Sequence, residues 1–169
     1  MTAGSSASHV QREAIQLSAG KTCCSKWFQV TQSQVDAFAQ ATGDYQWIHS
    51  SDAGPAGSPF KGPIARGLLL LSLGINLARE CGALPDATLV LCGFDNVRFR
   101  GPVRSGARVR CQTTIQDVRK VSGRLLLNTR VLMEIQDQRV PALVADCSLL
   151  SLSQVPEIAV SLPSGSLAK

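Results

Sequence analysis

At 169 residues, with 44% hydrophobic and 17% charged residues, the chain suits one well-buried core; it is too short for two ordinary domains and too apolar to be disordered. Aromatics at 5% leave the core to Leu, Val, Ile and Ala. The net charge of +5 comes from arginines scattered over residues 98–139, with no long basic run and no interleaved aromatics, which argues against nucleic-acid binding and suits a ligand carrying phosphates.

Residues 1–20 are rich in Ser, Ala and Gly and read as a loosely held leader, with neither the apolar core of a secretory signal nor the character of a transit peptide. The domain is expected over 21–153, followed by a loose tail at 154–169. KWFQVT, residues 26–31, reads as a short first strand. Thr31 then suits the N-cap of a helix over QSQVDAFAQATG, with Val35, Phe38 and Ala39 on one face and Gly43 as its stop. Residues 50–63 hold three prolines and three glycines, which predicts a loop arching over something.

Pro63 suits the first turn of a second helix through IARGLLLLSLGINLARECG, and leucine on almost every face predicts that this helix is wrapped on nearly all sides. Its apolar run is about a dozen residues, too short to span a bilayer, so no membrane association is expected and the protein reads as cytoplasmic. After Pro85 the pattern turns to strands over 87–103, 107–121, 124–135 and 140–152, with SGR and QDQR as turns. A buried helix followed by a meander of long strands predicts an α+β domain whose sheet curls around the helix.

Six cysteines (Cys23, Cys24, Cys81, Cys92, Cys111 and Cys147) include no C-x-x-C pair. With no second histidine in the domain to complete a Cys/His site, no metal is expected. Cys92, Cys111 and Cys147 lie in apolar strand-like stretches, where reduced thiols act as small hydrophobes. The chain has two histidines, and His9 lies in the leader, so any histidine-dependent chemistry falls to His49.

His49 closes the stretch Thr42-Gly43-Asp44-Tyr45-Gln46-Trp47-Ile48-His49, and Pro63-Ile64-Ala65-Arg66-Gly67 leads into the central helix. Together with NVRFRGPVRSGARV at 96–109, the order and spacing resemble the MaoC-like (R)-specific enoyl-CoA hydratases, a branch of the hot-dog fold, over roughly residues 25–152. The family's motif is a small residue followed by Gly-Asp-x-Asn/Gln-x-Ile/Leu-His, then a Pro-Ile-Ala/Val-His-Gly segment. Arg66 stands where the family usually has histidine.

The resemblance implies hydration of a trans-2-enoyl thioester to the (R)-3-hydroxyacyl thioester, or the reverse dehydration, in fatty acid metabolism. Water adds at C3 and a proton at C2, so the reaction needs a proton acceptor and a proton donor. Asp44 and His49 are the implied pair, with their individual roles open. Gly67 is the implied oxyanion donor through its backbone N–H. Gln46, Tyr45, Trp47, Arg66 and Ser72 are candidate substrate contacts, each with an ordinary structural alternative: amide hydrogen bonds that hold the motif loop for Gln46, loop packing for the aromatics, a bond to a helix carbonyl for Ser72, an ion pair for Arg66. Lys61, Arg98, Arg100 and Arg104 are candidates for the phosphates of the carrier, which is CoA or an acyl carrier protein. No cofactor is implied, and a homodimer joined edge to edge is. The competing readings are a hot-dog thioesterase and a non-catalytic acyl-thioester-binding module, the latter favoured by the departure at Arg66.

Overall fold

The computed structural model describes residues 19–51 and 58–152: six strands in one antiparallel sheet, two α-helices and one turn of 3₁₀ helix. The leader through residue 18, loop residues 52–57 and the tail from residue 153 lie outside the described residues, so the expectations for leader, tail and mid-loop lie there too.

The first strand expected over 26–31 is instead two short ones, β1 (Thr22–Cys24) and β2 (Phe28–Gln29), both antiparallel to the long strand β4 (Arg108–Val121). Ser25 separates them. Its N–H donates to the Cys111 carbonyl at 2.9 Å, while its Oγ, not a backbone oxygen, accepts from the Cys111 N–H at 2.9 Å. That substitution interrupts the backbone ladder while leaving both Cys111 groups satisfied.

Helix α1 (Gln32–Thr42) follows as expected. Thr31 Oγ1 accepts from the Gln34 N–H and Gln34 Oε1 accepts from the Thr31 N–H, a reciprocal capping box that satisfies two donors at the helix start. The helix stops where Gly43 turns left-handed at φ 72° and donates to the Ala39 carbonyl.

Helix α2 (Gly67–Glu80) begins four residues later than Pro63. Residues 64 and 65 are held extended: the Ile64 N–H donates to Ile48 O at 2.9 Å, the Ala65 N–H donates to Val103 O at 2.7 Å, and Ile64 bridges Arg104. Those bonds compete with the helix and win, because the segment is buried and each backbone group there must find a partner. Leu69, Leu70, Leu71, Gly74, Leu77 and Ala78 are buried, whereas Leu68, Ser72, Asn76 and Glu80 form an open stripe at i, i+4 spacing. Among the described residues, the helix is therefore covered everywhere but along that stripe.

Strands β3 (Leu89–Phe99), β4, β5 (Arg124–Ile135) and β6 (Leu143–Ser151) supply the rest of the core. Period-two burial runs through Val109, Cys111, Thr113 and Ile115 on β4, through Leu125 to Ile135 on β5, and through Leu143 to Ser151 on β6, so one face of the sheet packs on α2. Each fully buried Leu, Ile, Val or Met there contributes about 1.5–3 kcal/mol. Ser122 and Gly123, both at positive φ, make the tight turn between β4 and β5.

The expected meander holds only for β4, β5 and β6. The order is β1-β4-β5-β6-β3, with β2 also on β4, so β3 pairs with β6 and forms the far edge. The connection from β3 to β4 is a crossing segment that buries Val103 completely, not a hairpin turn. Cys111 and Cys147 are buried, and burial pushes their thiols up, Cys111 to about 12. Cys92 departs from its expectation. It lies on the edge strand beside a register shift between Leu91 and Gly93 and is exposed.

Candidate active site

The end of α1 delivers the chain into residues 44–46 and then the 3₁₀ turn Trp47–His49. The His49 N–H donates to Gln46 O at 3.1 Å, and Gln32 Nε2 on α1 donates to His49 O at 2.9 Å. His49 is 7% exposed and its Nδ1 lies 2.7 Å from the Ile64 carbonyl oxygen. A carbonyl only accepts, so Nδ1 carries the hydrogen and Nε2 of the neutral ring keeps its lone pair.

Gly67 opens α2, where first-turn N–H groups have no partner within the helix. His49 and Gly67 line one cavity of about 370 Å³, whose other walls include Ile64, Leu70, Phe99 and Val103. A Cβ on Gly67 would lie 2.8 Å from the Phe99 ring, so glycine is the residue that fits under that ring. Arg100, exposed, also reaches this cavity.

Asp44 and Arg66 form an ion pair. Arg66 Nε donates to Asp44 Oδ2 at 3.0 Å, Nη2 donates to the Asp44 carbonyl, and Nη1 donates to Val35 O at 3.1 Å. The Arg66 side chain is 5% exposed and that of Asp44 35%. Asp44 Oδ1 accepts from the Gln46 N–H at 3.3 Å and from Gln46 Nε2 at 3.1 Å. The Arg66 hydrogen bond above all holds the Asp44 carboxyl below the usual carboxylate range, with Gln46 adding to the effect.

Of the residues expected in the site, His49 and Gly67 line the cavity, whereas Asp44, Tyr45, Gln46, Trp47, Arg66 and Ser72 are not among its lining residues. Tyr45 and Trp47 are exposed at 70% and 46%. Ser72 Oγ donates to Leu68 O at 3.0 Å on the open stripe of α2, the ordinary use of a helical serine. Arg66 lies buried against Asp44, in the ion pair that was its structural alternative. Of the four candidate phosphate-binding cations Arg100 alone reaches the cavity; Lys61 and Arg104 line a separate hollow with Ser105, and Arg98 donates to Val97 O.

The sequence carried no sign of three further participants. Gln32 is a surface-type residue in an amphipathic pattern, the Ile64 acceptor is a backbone atom, and Phe99 reads as one more apolar strand position.

A helix packed on one antiparallel sheet, with His49 and Gly67 lining one cavity at the helix entry, defines a hot-dog domain. Residues 15–134 match the family described as the MaoC like domain, and the chain belongs to that family. It is 34% identical over 124 residues to 3-hydroxyacyl-thioester dehydratase Z of Mycobacterium tuberculosis, covering 72% of this chain and 82% of that protein. It is 37% identical over 127 residues to Nodulation protein N of Rhizobium meliloti, covering 72% and 78%. Among solved structures, the (R)-hydratase from A. caviae involved in PHA biosynthesis superposes with a TM-score of 0.64 at 24% identity, covering 80% of this chain and 98% of that one.

Proposed function

We propose that the protein is a lyase that adds water to trans-2-enoyl thioesters, or removes it from (R)-3-hydroxyacyl thioesters, with His49 as the proton-transfer group. The observation that carries this reading is the shared cavity of His49 and Gly67 in a MaoC-like domain. The thioester carbonyl accepts from the Gly67 N–H, which places C3 and a water beside Nε2. Nε2 takes a proton from the water as its oxygen bonds C3, and charge gathers on the carbonyl oxygen, where the N–H donor stabilises it. The proton then passes to C2, so the two hydrogens and the oxygen of water are all accounted for. Asp44, charged and fixed next to the motif turn, keeps the loop in place and supplies a negative field. The mechanism uses proton transfers and hydrogen bonds alone, so no cofactor is invoked. Arg100 at the cavity suits a phosphate of the carrier, CoA or an acyl carrier protein.

Incubation with crotonyl-CoA is expected to remove the conjugated enoyl absorbance and yield the (R)-3-hydroxyacyl product, with or without a metal chelator. Release of free thiol in its place assigns the protein to hydrolysis, and binding without either change assigns it to acyl-thioester binding.

The same reading includes a homodimer. Among the described residues, strand β3 is an edge strand of eleven residues with Val90 and Leu91 exposed, a long edge of the kind that a second copy covers. Light scattering is expected to give at least twice the chain mass of 18.0 kDa. A mass equal to one chain at micromolar concentration overturns it.

A further inference from the structure

Arg66 occupies an unfavourable place for an arginine. It is the N-cap of α2, where it makes no side-chain cap bond, and a cation at the positive end of a helix is disfavoured. Its guanidinium is buried, where a permanent charge is costly unless paired. The groups that satisfy it lie on two other segments: the carboxylate and carbonyl of Asp44 at the start of the motif loop, and the carbonyl of Val35 on α1. The next residue in the chain is Gly67.

The two halves of the site are thus tied twice. Near His49, the Nδ1–H···O bond to Ile64 and the Ile64 N–H···O bond to Ile48 join the motif turn to the segment before α2. Near Asp44, the only tie between loop and helix start seen among the described residues is the guanidinium of Arg66. We propose that Arg66 is a positioning residue, acting through Asp44 to hold the His49 loop in fixed register with the Gly67 N–H. The inference rests on the hydratase reading above and adds to it a residue that never touches substrate. It also explains why Arg66 is charged yet absent from the cavity, and it makes Asp44 the anchor through which the clamp works.

The test is a double-mutant cycle on the full chain, read as kcat and KM for crotonyl-CoA, with a thermal melt of each variant. Arg66→Met keeps the length of the side chain and removes its donors; it is expected to lower kcat by about tenfold or more with KM within about twofold, because a misplaced base slows chemistry without weakening uniform binding. Arg66→Lys, which restores a cation facing Asp44, is expected to recover part of that loss. In the Asp44→Asn background, where the anchor is already gone, Arg66→Met is expected to change kcat by no more than about twofold.

Losses that multiply across the cycle overturn the proposal, since Arg66 then acts independently of Asp44. A rise in KM with kcat unchanged overturns it in favour of substrate recognition. Should Arg66→Met fail to fold, Arg66→Lys takes its place in the cycle under the same two criteria. A wild-type protein that hydrates no enoyl thioester overturns the hydratase reading itself, whereas an active wild type with multiplying losses overturns the clamp alone.

Discussion

Replacing His49 by glutamine is expected to lower turnover by at least about a hundredfold, because a positioned general base contributes about 10²–10⁴-fold and no other imidazole is available in the domain. His49→Asn sharpens the test. Its side-chain amide sits where Nδ1 does now and can still donate to the Ile64 carbonyl, so the motif turn keeps its tie to the segment before α2. The asparagine variant is therefore expected to melt close to the wild type while sharing the loss in kcat. Turnover within tenfold of wild type in a folded His49→Asn protein removes His49 from the chemistry.

The second large effect concerns the backbone of Gly67. Proline at the first position of a helix is well tolerated, since the N–H it lacks has no intrahelical partner and Arg66 already has the extended conformation, φ −69° and ψ 140°, that a residue before proline prefers. Gly67→Pro thus deletes the proposed oxyanion donor at little expense to α2. It also adds a Cβ against the Phe99 ring, and Gly67→Ala adds the same Cβ while keeping the N–H. The alanine variant measures the steric part: the half-exposed Phe99 ring has to shift within the cavity wall, so its activity is expected to fall while its melting temperature changes little, the far end of a flexible ring being able to give. The proline variant is expected to lose about a further hundredfold in kcat, the usual size for one oxyanion donor. Equal activities for the two variants exclude the Gly67 N–H from the reaction.

The ion pair alters what an Asp44 substitution reports. On sequence grounds Asp44→Asn removes a catalytic carboxylate and leaves the fold intact. In the structure it also strips the counter-charge from a guanidinium that is 5% exposed, so the variant is expected to lose stability as well as activity. Activity lost in Asp44→Asn by itself therefore does not identify a proton-transfer group, whereas the His49→Asn comparison does.

The features legible from the residues alone are those set by interactions within a few positions. The Thr31 cap needs Gln34, the stop of α1 needs only Gly43, the Ser122-Gly123 turn is its own signal, and the strands of the core announce themselves by alternation. The motif from Gly43 to His49 was legible for the same reason, since it occupies one turn and the loop before it. Tertiary structure alone decided which of its side chains share a cavity.

Asp44 meets a residue 22 positions away, and the tautomer of His49 is set by a carbonyl 15 positions away. Carbonyls are identical at every residue, so no side-chain pattern marks the one that matters. The start of α2 moved from Pro63 to Gly67 because Ile64 and Ala65 are bonded to Ile48 and Val103, partners supplied by two other loops. Likewise the place of β3 at the far edge beside β6 was not legible, because strand periodicity is the same whichever neighbour a strand takes.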